Sequence, residues 1–443
     1  MSKIIVIGAN HAGTAAINTM LSLSKDNEIT VYDRNSNITF LGCGMALWIG
    51  KQISTGDGLF YSSKEKLEEA GAKVFMNADV VAVDENKKEV VVRIDGIEKR
   101  DHFDKLVLAS GSVPIIPNIP GIQLENVQRV KLYQDAVEVI SKLENPDIKN
   151  VAVVGAGYIG VELAEAFKRH DKNVYLIDVA KSSLSTYYDD EFNSIMDQNL
   201  RDHGIHCEFG EKVIEFVGKD KLEAIKTDKK EIAVDMAIVC IGFNPNSKLM
   251  GDQLDTFRNG AYIVNKQQQT SNPDIYAVGD CAIVYDNAID KENYIALATN
   301  AVRSGIVAAH NICGSSLETL GVQGSNAISI YGLNLVSTGL TLKACEKFGI
   351  EALTTDYTDL QKATFMEEEN PEVKIRIVYE KGSRRILGAQ LASKYDMSMG
   401  IHMFSLAIMK KVTIDELKLL DIFFLPHFNQ PYNYITMAAL QAK

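Results

Sequence analysis

Residues 151–164 read VAVVGAGYIGVELA, a β-branched run, three glycines at 155, 157 and 160, and then apolar positions at helical spacing. A run that is apolar at every position predicts a strand buried on both faces, as in a parallel sheet. The glycine spacing is the dinucleotide-binding fingerprint. Gly155 permits the tight turn, Gly157 lets pyrophosphate approach the backbone, and Gly160 allows close helix packing, with Ile159 inside the turn.

The same pattern begins 147 residues earlier, where residues 4–17 read IIVIGANHAGTAAI. Gly8 and Gly13 are kept, Ala12 stands in the turn, and Asn10 replaces the middle glycine. Each copy leads to an acid that closes a second strand, Asp33 in ITVYD and Asp178 in VYLID. A carboxylate at that place accepts hydrogen bonds from ribose hydroxyls. One fingerprint is a weak signal. Two, each with strand, helix and acid, predict two Rossmann-like units.

Proline and glycine mark the joins between units. DKLVLASGSVPIIPNIPG (104–121) ends a strand and turns proline-rich, and DMAIVCIGFNPN (235–246) predicts the return crossing. Beyond about residue 322 the fingerprints stop. VKIRIVYEKGSRRILGAQLAS predicts a hairpin around Lys381-Gly382-Ser383 with alternation on both sides, and MFSLAIMKKVTIDELKLL reads as helical. The expected fold class is α/β, two dinucleotide-binding units followed by an α+β domain.

Composition excludes several functions. A net charge of −12 over 443 residues leaves no basic stripe for nucleic acid. No apolar run reaches the roughly 18 residues of a membrane helix, and the N-terminal MSKIIVIGANHAG enters a strand directly, so a cytoplasmic protein is expected. Six scattered cysteines, with no CxxC pair, suit neither a disulfide framework nor a zinc site.

VIGANHAG, FLGCGMALW, VVGAGYIGVELAEAF, TSNPDIYAVGDCA and FFLPHFNQPYNYITMAAL together resemble the single-cysteine branch of the pyridine nucleotide–disulfide oxidoreductases. Within that branch the chain is most similar to the water-forming NADH oxidases. The resemblance spans essentially the whole chain. It implies a glutathione-reductase-like fold, with an FAD domain at 1–116 and 246–321, an NADH domain at 117–245 and a dimerisation domain at 322–443. For FAD it implies Gly8, Asn10, Ala12, Gly13 and Asp33, the loop Ser110-Gly111-Ser112, and Asp280 on the ribityl chain. Val81, Lys131, Leu297 and Ala298 complete that set. For NADH it implies Gly155, Gly157, Tyr158, Ile159, Gly160, Glu162, Asp178, Tyr187 and Gly242. Asp178 suits the free 2′-hydroxyl of NADH, although Lys181 is near in sequence, and Asp280 could also cap a following helix.

The chemistry centres on Cys43. Dithiol relatives carry a second cysteine five residues on, where this chain has Trp48. Gly42 and Gly44 flank Cys43 and are expected to let a flat isoalloxazine approach the sulfur. A helix starting at Met45 would favour the thiolate. His11, at a helix N-terminus, is expected to stay neutral and exchange protons beside the cysteine, as the matching family histidine does. The resemblance brings Phe424, with His427 nearby, to a partner subunit's flavin, and His427 is left without a role. The expected reaction is four-electron reduction of O2 to water by NADH through FAD and a Cys43 thiolate/sulfenic acid cycle. NADH peroxidase remains an alternative, although that branch carries Ser and Tyr where this chain has Gly42 and Trp48. Coenzyme A disulfide reductase and a non-catalytic redox sensor also remain open.

Overall fold

The computed structural model describes residues 2–443. Its first unit is a five-stranded parallel sheet in the order Ile275–Ala277, Lys105–Leu108, Lys3–Ile7, Glu28–Tyr32, Lys73–Phe75. The second unit has a parallel sheet in the order His206–Phe209, Asn173–Asp178, Asn150–Val154, Met236–Val239, Val127–Gln128. Each fingerprint strand is central in its sheet, and Ile4, Ile5, Val6, Val151, Ala152 and Val153 have no solvent exposure. That burial on both faces is what the uninterrupted apolar runs required.

The duplication extends beyond the fingerprints. In each unit a three-stranded antiparallel sheet follows in the chain directly after an edge strand of the parallel sheet, Lys73–Phe75 in the first and His206–Phe209 in the second. It is Ala78–Asp84, Glu89–Ile94 and Ile97–His102 in the first, and Val213–Val217, Ala224–Thr227 and Glu231–Ala233 in the second. The two crossings are zipped together, since Ser112–Pro114 pairs antiparallel with Phe243–Pro245.

The C-terminal region is a five-stranded antiparallel sheet in the order Asn326–Ile330, Leu333–Gly339, Ile386–Ser393, Glu372–Glu380, Ala352–Leu360. The hairpin reading changes in two respects. The strand Ile386–Ser393 is buried at every position rather than alternating. Ile386, Leu387, Ala389 and Leu391 share a core with Phe404 of the helix Ile401–Met409, while Ala392 belongs to a core with Tyr188 and Phe192 of the second unit. The turn is also longer than Lys381–Ser383, and its left-handed residue is Arg384. The stretch that reads as helical forms two helices, Ile401–Met409 and Ile414–Leu417. Lys411 turns left-handed between them, and Thr413 starts the second with a Glu416 capping box.

Arg376 ties this sheet to the second unit. It is 6% exposed at the side chain and donates two hydrogen bonds of 2.7 Å to Glu191, on the helix Asp190–Asp202, and two to the cross-strand Asp356. Asp189 lies 3.5 Å away and exchanges hydrogen bonds with Gln390. Truncating Arg376 leaves the buried Asp189 carboxylate without its cation, while the half-exposed Glu191 and Asp356 turn to water. Arg376→Ala is therefore expected to cost about 3 kcal/mol, read as a lowered denaturation midpoint of the FAD-loaded protein, with little change in the affinity for FAD.

Candidate active site

Each fingerprint glycine does a measurable job. Gly155 turns at φ 105°, and a Cβ on Gly160 would lie 1.8 Å from the Gly155 carbonyl oxygen. Gly8 and Gly13 repeat this at 95° and 1.9 Å. The acid at the end of the second strand then pins each turn. Asp33 accepts from the Ala9 N–H at 2.8 Å, and Asp178 accepts from the Ala156 N–H at 2.6 Å. Asp33 also accepts from Asn35, and Asp178 from the Ala180 N–H at 2.7 Å, so both carboxylates order their turns besides facing the cavity.

The helices that follow, His11–Leu23 and Tyr158–Lys168, have no side-chain N-cap and no acid in their first turns. Their free N–H groups and dipoles are ready-made anion sites. In front of Gly157 there is open space, with nothing within 4 Å of where a Cβ would stand. Both turns open onto one cavity of about 1410 Å³. These features fit two dinucleotides, each laid with its pyrophosphate on a helix start.

The cavity gathers most of the residues singled out in the sequence. Gly8, Asn10, His11, Ala12 and Asp33 line one end, with Val81, Ser110, Gly111 and Ser112. Lys131, Asp280, Leu297 and Ala298 complete that end. The other end holds Gly155, Gly157, Tyr158, Ile159 and Glu162, with Asp178, Tyr187 and Gly242. Gly13 and Gly160 lie behind their turns, where their role is packing. Phe424 is 46% exposed on this chain's surface and does not line the cavity, and His427 is exposed beside it.

Within the first end a relay of polar groups is in place. Lys131 donates to the Ser112 carbonyl and, at 2.7 Å, to its hydroxyl, which donates to Asp280 at 2.8 Å. Burial pulls the Lys131 ammonium down to about 8 against the opposing charge of Asp280. Asp280 is not a helix cap, because its carboxylate is engaged by Ser112 and the next long helix starts only at Ala298.

Cys43 lies in the turn Gly42–Gly44, just before the helix Met45–Ile49. Of the six cysteines it is the exposed one, and it lines the large cavity and a second one of about 440 Å³. Cys240 also borders the large cavity, but burial pushes its thiol up to about 12. The two flanking glycines differ in their reasons. Gly42 has only the Lys131 carbonyl at 3.8 Å and borders the cavity, so it leaves room beside the sulfur. Gly44 does not: a Cβ there would strike Leu59 at 2.4 Å, so its smallness serves packing rather than a bound ring. Trp48, at the place of a second cysteine, stacks on Tyr133 at 5.2 Å and turns away into an aromatic cluster with Phe40 and Phe60.

His11 opens its helix as expected, and its pKa is lowered. Burial is the main cause, with Asp280 pulling the other way. Two groups escaped the sequence reading. Tyr61 meets His11 at 3.1 Å, and Asn326 accepts from Tyr158 and from Tyr188 at 3.2 Å. No local pattern marks either one, because each contact joins segments far apart in the chain.

The chain belongs to the pyridine nucleotide-disulphide oxidoreductases. Residues 2–305 match that family, and residues 327–433 match its dimerisation domain. An NADH oxidase of Streptococcus pyogenes is 60% identical over the whole of both chains, and one of Lactococcus lactis is 53% identical over the same extent. The structure of a water-forming NADH oxidase from Lactobacillus brevis, bound to NADH, superposes with a TM-score of 0.96 at 40% identity, covering 99% of this chain and 98% of that one.

Glu162 gives the site a pH dependence. It sits within the Tyr158–Lys168 helix, and burial, reinforced by the negative Glu165, pushes its carboxyl up to about 7. A native pKa above the unfolded value means that stability is lost as Glu162 ionises, between about pH 4.5 and 7. Glu162→Gln is expected to match the wild type at pH 4.5 and to gain about 3 kcal/mol on it by pH 8. Denaturation midpoints across that range check this.

Proposed function

We propose that this chain is an FAD-dependent NADH oxidase that reduces dioxygen by four electrons to two waters. The observation that carries this reading is Cys43, the exposed thiol, on a cavity whose walls hold both nucleotide turns. Similarity to NADH oxidases over the full chain supports the choice of electron donor and acceptor.

Residues 1–116 with 246–321 hold FAD, residues 117–245 hold NADH, and residues 322–443 form the dimerisation domain. The helix starting at His11 takes the FAD pyrophosphate, and Asp33 and the Ser112–Asp280 pair take its hydroxyls. The helix starting at Tyr158 takes NADH, and Asp178 favours a free 2′-hydroxyl over a phosphate. When bound, FAD supplies hydride acceptance from NADH and the two-electron reduction of dioxygen to hydrogen peroxide.

The protein's own chemistry begins there. The Cys43 thiolate attacks one peroxide oxygen, the S–O bond forms and the O–O bond breaks, leaving sulfenic acid. His11 passes a proton drawn from solvent to the departing oxygen, so that it leaves as water rather than hydroxide. The hydride equivalent of a second NADH returns the sulfenic acid to thiolate and releases the second water.

The working unit is a homodimer in the cytoplasm. The apolar side chains Leu419, Phe423 and Tyr432, exposed at 91, 66 and 75%, supply a surface that needs a partner, and Phe424 of the same segment reaches the partner's FAD. All six cysteines are free, as a reducing compartment requires.

The test is the number of NADH oxidised per O2 consumed. The wild type is expected to give two, unchanged by catalase. Cys43→Ser is expected to keep NADH-dependent oxygen uptake while the ratio falls toward one and hydrogen peroxide accumulates. A variant that still made only water would end the role of the thiol. A wild type that ignored oxygen but consumed added peroxide would be a peroxidase.

A further inference from the structure

We infer that Tyr61 is a positioning residue for the reaction at Cys43, its hydroxyl donating to Nδ1 of His11 and so fixing the imidazole as the tautomer that carries its proton on Nε2. This rests on the thiol cycle proposed above and adds to it a residue that selects which histidine nitrogen serves the departing oxygen.

The geometry carries the inference. The Tyr61 hydroxyl lies 3.1 Å from His11 Nδ1, and the two rings are parallel within 5° at 5.7 Å between centroids. One contact fixes the nitrogen and the other fixes the plane. Tyr61 is also held by the strand contact that holds Cys43. Phe40 bridges antiparallel to Phe60, and the Leu41 N–H donates to the Leu59 carbonyl at 2.8 Å. Thr39 clasps Ser62 from both sides, its hydroxyl donating at 2.7 Å and accepting at 3.1 Å. Tyr61 thus follows one strand of this contact and Cys43 follows the other, so thiol and phenol are placed together.

The groups that face the pair supply the protonation states the proposal uses. Burial, with a smaller push from Cys43 and against a lowering hydrogen bond with Thr14, raises the Tyr61 phenol to about 12, so it keeps its proton at neutral pH. Burial keeps His11 neutral against the pull of Asp280 from the turn Gly279–Cys281. In the proposed sense the protonated phenol donates to the bare Nδ1, and Nε2 then carries the hydrogen. Tyr61 is 43% exposed, so the pair also reaches solvent, the source of the proton.

The experiment uses the FAD-loaded protein with 15N-labelled histidine, His11 being assigned by the signal lost in His11→Gln. In the wild type the His11 signals should be those of an Nε2–H tautomer. Tyr61→Phe keeps the ring and removes the donor. It should mix the tautomers and raise the His11 pKa by roughly half to one pH unit. It should also release severalfold more hydrogen peroxide per NADH, with FAD content unchanged. If Tyr61→Phe fails to hold FAD, 3-fluorotyrosine at position 61 replaces it. That more acidic phenol should lower the His11 pKa and leave the tautomer pure.

An unchanged tautomer and titration would overturn the hydrogen bond. A changed tautomer with wild-type water formation would overturn the positioning role while leaving the thiol cycle intact. Failure of the cycle itself is seen separately, in a Cys43→Ser protein that leaks no peroxide, and it would overturn both.

Discussion

The close approach of the cysteine helix to the second fingerprint helix is the contact on which the active site depends. Met45–Ile49 belongs to the first unit and Tyr158–Lys168 to the second, yet a Cβ on Gly50 would stand only 3.0 Å from the Ala166 Cα. Small residues on both sides let the backbones meet. His170 adds a 2.6 Å hydrogen bond from Nε2 to the Ile49 carbonyl, closing the end of the short helix. Met45, Ala46 and Ile49 share one core with Val161, Ala164 and Phe167. Because that core spans the two units, Cys43 is fixed relative to both nucleotide turns. A thiol anchored to one unit alone would gain no alignment with the nucleotide held by the other.

The two units solve the same electrostatic problem by the same means. A dinucleotide brings two phosphate charges, and both helices that start at the cavity offer uncapped N–H groups suited to them. This suits a chain with a net charge of −12, since the attraction is local and needs no basic field. The strand-end acids order the turns from behind, through the Ala9 and Ala156 N–H groups. Repetition of the inserted antiparallel sheets shows that the whole unit, not the turn alone, is the repeated object.

The C-terminal sheet is bound into the site rather than appended to it. Asn326, on a strand of the C-terminal sheet, accepts from the hydroxyls of Tyr158 and of Tyr188, which is buried in the second unit. Arg376 closes the same junction some residues further along both segments. Burial in that junction explains why Ile386–Ser393 has no polar face, a departure from the alternation read in the sequence. A strand covered on both sides has no solvent face for polar residues to mark.

The sequence by itself determined what depends on short spacing: two glycine turns each followed by a helix, an acid closing the next strand, a lone cysteine between glycines, and the fold class these imply. Those features are legible because backbone sterics act over a few residues and restrict which residue types can stand there. Tertiary structure decided the rest. It assigned Gly44 to Leu59 instead of a bound ring, sent Trp48 into an aromatic cluster, broke the C-terminal helical stretch at Lys411, and set Tyr61 against His11 across 50 residues of chain. The physical reason is the range of the forces involved. Packing and hydrogen bonding act between atoms in contact, and only the folded chain decides which distant residues touch.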